Sequence, residues 1–190
     1  MSRLGPLLST VLATLLPLSP GCGSGPPAPV AAVVIPPGTR PDADAPEPTP
    51  SDPVTATMTV RAGEPGPPEL RVSVRIARAH YLHADAGDGG KFAPLAIEAE
   101  LPAGVSAVGD WSFPPPEDAG GGKPVYRDAV LLRLPLAVAP DASPGTRTVV
   151  AILRCQACNE ELCWPPSKLD LSAPLVIGLA TPHDPPPTPR

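Results

Sequence analysis

Apolar and polar residues alternate with a period of two along most of the central chain, the signature of half-buried strands. Val54, Ala56, Met58 and Val60 alternate with Thr and Arg, and Gly63 to Pro68 supplies a turn. Leu70, Val72, Val74 and Ile76 then alternate with Arg71, Ser73 and Arg75, the clearest amphipathic strand in the chain. Ala79-His80-Tyr81-Leu82-His83 follows, and Asp85 to Gly90 reads as a loop. Leu95, Ile97, Ala99 and Leu101 predict another strand, closed by Pro102-Ala103-Gly104. From Val125 to Leu136 the residues Val130, Leu132, Leu134 and Leu136 stay in register, with Pro135 predicting an edge or a bulge. Two last runs, Thr146 to Leu153 and Leu169 to Ile177, flank a short cysteine-bearing loop. No stretch keeps helical periodicity over three turns. Short strands separated by turn signals predict an all-β, immunoglobulin-like antiparallel sandwich.

Composition sets the limits of this domain. The 33 prolines would suggest disorder if spread evenly, but they concentrate before Pro53, between Pro114 and Pro124, and after Pro182. What lies between is enough for one core. A net charge of −5 lacks the basic footprint that nucleic-acid binding requires, so no nucleic-acid partner is expected. At the start, Arg3 precedes an apolar segment from Leu4 to Leu18, the pattern of an export signal. It ends in Leu18-Ser19-Pro20-Gly21-Cys22, which resembles a bacterial lipoprotein signal, although Ser19 stands where a Leu is usual. Residues 1–22 are therefore expected to be a signal peptide with a lipidated Cys22, the alternative being ordinary cleavage. Residues 23–53 read as a Pro-rich disordered tether, 54–178 as the domain and 179–190 as a Pro-rich tail. Export places the protein where disulfides are permitted.

Three of the four cysteines fall in Arg154-Cys155-Gln156-Ala157-Cys158-Asn159-Glu160-Glu161-Leu162-Cys163-Trp164-Pro165-Pro166. Strands lead in and out, so Cys158 and Cys163 sit at either end of a hairpin tip, close enough to bond. Such a pair has two readings. One is an inert staple; the other is a dithiol that exchanges with partners, since exchange needs an accessible sulfur and a neighbouring thiol to resolve the mixed disulfide. A staple closing so short a loop removes only about 2 kcal/mol of unfolded-chain entropy, which favours redox use without deciding it. Glu160 and Glu161 in the loop, and Asp110 if it approaches, would raise the thiol pKa and leave the dithiol sluggish alone. Cys155 and Cys158 have C-x-x-C spacing, but no helix follows to lower a thiol pKa as in thioredoxin-like pairs.

The run Cys158-Asn-Glu-Glu-Leu-Cys163-Trp-Pro-Pro, after an apolar strand and Gln-Ala, closely resembles the N-terminal periplasmic domain of DsbD, the thiol:disulfide interchange reductase. The likeness extends over about Pro53 to Gly178. Asp110-Trp111-Ser112-Phe113-Pro114 looks like the family's cap, Val125-Tyr126-Arg127-Asp128 like the strand after it, and His80-Tyr81-Leu82-His83 like a further family feature. The resemblance implies the same sandwich fold. It also implies that Cys163 forms the mixed disulfide, that Cys158 resolves it, and that Trp111 or Phe113 shields the pair. The membrane-spanning and thioredoxin-like domains that follow in the family are absent from this sequence. Its expected partners are therefore separate chains, thioredoxin-like periplasmic proteins and a membrane thiol reductase, with reductase activity dependent on them. The competing expectation is a non-catalytic exported binding or structural domain.

Other residues get plainer expectations. Cys155 replaces the family's usual Tyr and shares parity with Val149, Ala151 and Leu153, so it points into the core; the alternative is competition for Cys158. A zinc site from Cys155, Cys158, Cys163 and a histidine is chemically possible but crowded, so neither metal nor cofactor is expected. Trp111 and Phe113 are equally consistent with core packing, and His80 and His83 read as structural.

Overall fold

The computed structural model describes residues 30–33, 46–61, 67–87 and 89–180. The strands are β1 (Val30–Val33), β2 (Val54–Arg61), β3 (Glu69–Ile76), β4 (Tyr81–His83), β5 (Ala96–Glu100) and β6 (Val105–Ala107). They continue with β7 (Glu117–Asp118), β8 (Pro124–Tyr126), β9 (Ala129–Val138), β10 (Gly145–Cys155), β11 (Ala157–Cys158) and β12 (Ser167–Ala180). All pairings are antiparallel, and no helix occurs among the described residues.

Two four-stranded sheets, ordered β1-β12-β10-β5 and β2-β3-β9-β6, form an immunoglobulin-like sandwich. Their inner faces are the alternating positions of the sequence. Leu70, Val72, Val74, Val130, Leu132, Leu134 and Leu136 come from one sheet, and Val149, Ala151, Leu153, Leu171, Ala173, Leu175 and Ile177 from the other. Nearly all are under one-tenth exposed and join a single hydrophobic cluster, so a one-residue slip of any long strand would turn its apolar set to water.

A third sheet, β11-β4-β8-β7, sits beside this frame and carries the cysteine hairpin. The run read as one strand from Val125 to Leu136 is divided between β8 and β9. At the break Asp128 takes a left-handed conformation (φ 55°), one that Asp tolerates better than most residues, and its carbonyl accepts from Ile76 N at 2.8 Å. Pro135 lies at no edge. It sits where β9 stops pairing with β3 and begins pairing with β6, and its carbonyl accepts from Val108 N at 2.8 Å.

The segment read as a tether also contributes ordered chain. Val30–Val33 pairs with Ile177–Ala180 of β12, so an apolar run of four suffices where a long strand already offers its backbone groups. The described residues continue from 46, ahead of the expected domain start at 54. The Thr55 hydroxyl donates to Pro46 O at 2.8 Å, and Arg75 pairs with Glu47 at 2.5 Å. The expected signal peptide, Cys22 and nearly all of the tail lie outside the described residues.

Candidate functional site

Strand β10 ends at Cys155, and the chain then steps into the third sheet. Gln156 makes that step rigid: its Oε1 accepts from Ala93 N at 3.0 Å and its Nε2 donates to Trp164 O at 3.0 Å. Ala157 pairs with Leu82, and Cys158 with Tyr81. The hairpin closes through Trp164 N donating to Ala157 O at 2.8 Å and Asn159 N donating to Leu162 O at 2.9 Å. Inside the four-residue tip, Asn159 Oδ1 accepts from Glu161 N and Leu162 N, a side-chain-built turn that Asn favours. Cys158 and Cys163 therefore face each other across a bridge, with Cα atoms 4.0 Å apart, and are joined as a disulfide.

The two cysteines differ in burial. Cys158 is fully buried and Cys163 is exposed. Glu160, Glu161 and Leu162 stand exposed around Cys163, and Leu162 keeps half its surface in water. Cys155 is buried on the core side, as its parity predicts, and its Sγ lies 3.5 Å from the Ser167 hydroxyl. Burial pushes the Cys155 thiol up, while the Ser167 contact pulls weakly the other way.

Side chains two apart on a strand share a face. With Cys158 opposite Tyr81, the register puts Tyr81, His83 and Cys158 on one face of the third sheet, and Leu82, Ala157 and Tyr126 on the core face. A ring nitrogen of His83 and the two sulfurs lie within 4.8 Å of one another. His83 is 3 % exposed, its Nε2 is buried without a hydrogen-bond partner, and its ring stacks on Phe92 with centroids 3.8 Å apart. Burial pushes the imidazole below its ordinary value; Asp85 opposes this and Lys123 adds to it. A neutral imidazole beside a disulfide can take up or return the proton that moves when the bond opens. On the other side of the hairpin the Trp164 ring packs against His80, with centroids 4.8 Å apart.

The cap residues are placed less simply. Trp111 packs half-buried against the core, whereas Phe113 is 36 % exposed. Between them Ser112 exchanges both backbone hydrogen bonds with Arg133, at 2.8 and 3.1 Å. Pro114 O accepts from the Tyr126 hydroxyl at 3.2 Å, which ties this segment to the sheet bearing Cys158. Sequence reasoning gave His83 a structural role and passed over Phe92. The one available signal was the Tyr81-x-His83 spacing, which fixes a shared face but not the strand it meets. The grouping around the sulfurs is His83 with Cys158 and Cys163, without Cys155.

The family described as Thiol:disulfide interchange protein DsbD, N-terminal, matches residues 47–173. Among solved structures, the complex between the DsbD N-terminal and PilB N-terminal domains from Neisseria meningitidis is similar at 19 % identity and a TM-score of 0.43. That match covers 65 % of this chain and 84 % of the other. The N-terminal periplasmic domain of ScsB from Proteus mirabilis is similar at 16 % identity and a TM-score of 0.39, covering 76 % of this chain and 51 % of the other. No curated protein matches.

Proposed function

Because the chain belongs to the DsbD N-terminal family of thiol–disulfide interchange domains, we propose that it relays reducing equivalents between protein partners through Cys158 and Cys163. One observation carries this reading: a disulfide at a hairpin tip joins an exposed cysteine to a buried one. An incoming donor thiolate attacks Cys163 Sγ, the S–S bond breaks, and Cys158 leaves as a thiolate that takes up a proton. The donor's second thiol then releases Cys163, so the donor dithiol is oxidised and this pair gains two electrons and two protons. In the forward step, the Cys163 thiolate attacks an acceptor disulfide and Cys158 resolves the mixed disulfide. The donor is a membrane thiol reductase and the acceptor a thioredoxin-like periplasmic protein. Phe113, 36 % exposed and next to Pro114, whose carbonyl accepts from the Tyr126 hydroxyl, shields the pair. The protein works on the periplasmic side of a membrane, held there by lipid on Cys22.

Trapping tests the relay. Cys158→Ala leaves Cys163 without its resolver and is expected to accumulate a mixed disulfide with a thioredoxin-like protein, whereas Cys163→Ala accumulates little. Equal trapping by both variants, or none by either, overturns the assignment. A pair with a reduction potential below about −300 mV would be a staple, while an exchange pair belongs at about −120 to −270 mV.

A further inference from the structure

We propose that the reduced form of this hairpin is a binding site for a thiophilic cation such as Zn2+, built from His83, Cys158 and Cys163 and closed whenever the disulfide forms. The proposal needs the pair to be reducible, as the exchange reading holds, but not that it relay electrons.

The ligand set is the first support. Zinc takes thiolate sulfur at about 2.3 Å and imidazole nitrogen at about 2.0–2.1 Å in tetrahedral geometry, which puts neighbouring ligand atoms roughly 3.5–3.8 Å apart. The His83 nitrogen and both sulfurs already lie within 4.8 Å of one another. The sulfurs, bonded to each other, must separate on reduction, and that movement takes them toward the spacing a metal requires. Cys163 lies on an exposed tip, so the adjustment falls on the sulfur that is free to move.

The unused nitrogen is the second and independent support. Buried polar atoms are nearly always hydrogen-bonded, and one that is not invites an unrecorded partner. His83 Nε2 is buried with none. The ring itself is fixed. Its backbone pairs with Val125, its carbonyl accepts from Leu95 N at 2.9 Å, Phe92 stacks on one face, and Tyr81 meets its edge with centroids 5.4 Å apart. A ligand held this way loses little freedom on coordination. His83 also lines an open groove with Asp85, Phe92 and Lys123, among others.

Charge favours the same arrangement. Two thiolates alone would place two negative charges beside the buried Cys158 position, which is costly away from water. Zn2+ displaces two thiol protons, the lone pair of neutral His83 completes a third bond, and the resulting unit carries no net charge. A fourth position stays open to water or to a partner's side chain, as in zinc sites with three protein ligands. Oxidation removes both thiolates and leaves one imidazole, too little to hold the ion.

The test uses the full chain carrying Cys22→Ser, which removes the distant thiol, reduced anaerobically with a thiol-free reductant. Titration with Co2+ should reach one equivalent, with the charge-transfer absorption of two thiolates and the visible bands of a tetrahedral ion, and Zn2+ should displace it. The oxidised protein should show none of this. His83→Phe, which keeps the stack on Phe92, should weaken Zn2+ binding at least about tenfold. Cys163→Ser, at an exposed position, should halve the thiolate absorption and weaken binding without disturbing the core. Cys155→Ala should change neither. Absence of stoichiometric binding, unchanged affinity in His83→Phe, or loss of the bands in Cys155→Ala each overturns the proposal. Partner trapping without metal binding leaves the relay standing and this site refuted, and binding without trapping does the reverse.

Discussion

Cys155 and Cys158 stand three residues apart, both buried, with different chemistry. Cys155 closes a strand whose odd-numbered side chains fill the core, so its thiol meets Ser167 and apolar neighbours. Cys158 belongs to the next sheet and turns toward Tyr81 and Cys163. Burial raises the folded pKa of Cys155, which fixes the sign of a pH effect. Above the ordinary thiol value of 9.0 the unfolded chain loses this proton while the folded chain keeps it. Folding is then opposed increasingly as pH rises toward the folded value, and the contribution is fully retained below the unfolded one. Tyr126, raised by burial, acts in the same direction at higher pH and is present in any variant that keeps it. The denaturant midpoint of the wild type should fall between pH 8 and pH 10 more steeply than that of Cys155→Ala. Alkylation of the native reduced protein at pH 8 should mark Cys163 and spare Cys155. Parallel pH curves, or equal alkylation of the two thiols, would refute the placement of Cys155 in the core.

At the scale of elements, what the sequence revealed depended on strand length. The six runs with several alternating positions all became strands, because burying one face of a pleated ribbon leaves a period of two over five or more residues. Strands β6, β7 and β11 span two or three residues, too few to show any period. Strand β1 hides in proline-rich sequence and exists through its pairing with β12. The cysteine pair was legible because its hairpin is local. His83 was not, because β4 reaches β11 across some seventy-five residues and no spacing along the chain encodes that register. The cap shows the same limit. Trp111 and Phe113 are two apart and chemically alike, yet the structure buries one more than the other. Ser112 and Pro114 are both pinned, so the shield proposed at Phe113 would be held in a fixed position. Phe113→Ala should therefore speed reduction of Cys158–Cys163 by dithiothreitol several-fold with little loss of stability. Trp111→Ala should leave the rate nearly unchanged and cost stability, though less than the 3–5 kcal/mol of a fully buried aromatic. Rates and unfolding midpoints measured on the same variants decide this, and an unchanged rate in Phe113→Ala removes the shield.

The whole molecule gives these parts a direction. Strand β12 starts beside the cysteine hairpin, where Ser167 pairs with Cys155, and its other end pairs with β1. Ten residue steps lead from Ser167 to Ile177, roughly 33 Å of extended strand. Because β1 runs antiparallel to β12, Val30 lies at the extreme end, opposite Ala180. Chain arriving from Cys22 thus joins the domain far from the sulfurs. Eight residue steps link Cys22 to Val30, a leash of at most about 28 Å, far shorter than one running to residue 53. A lipid on Cys22 would then hold the domain by one end and point the hairpin away from the bilayer, toward soluble partners. The leash is about as long as the sandwich, so tilting can still bring Cys163 down to a membrane reductase. Cys22→Ser should move the exported protein from the membrane to the soluble fraction. In purified form it should exchange with a soluble thioredoxin-like partner at the wild-type rate, because Val30 and the cysteine hairpin lie at opposite ends of β12. A wild type already soluble after export refutes the anchor, and slower exchange in Cys22→Ser refutes the separation of the two ends.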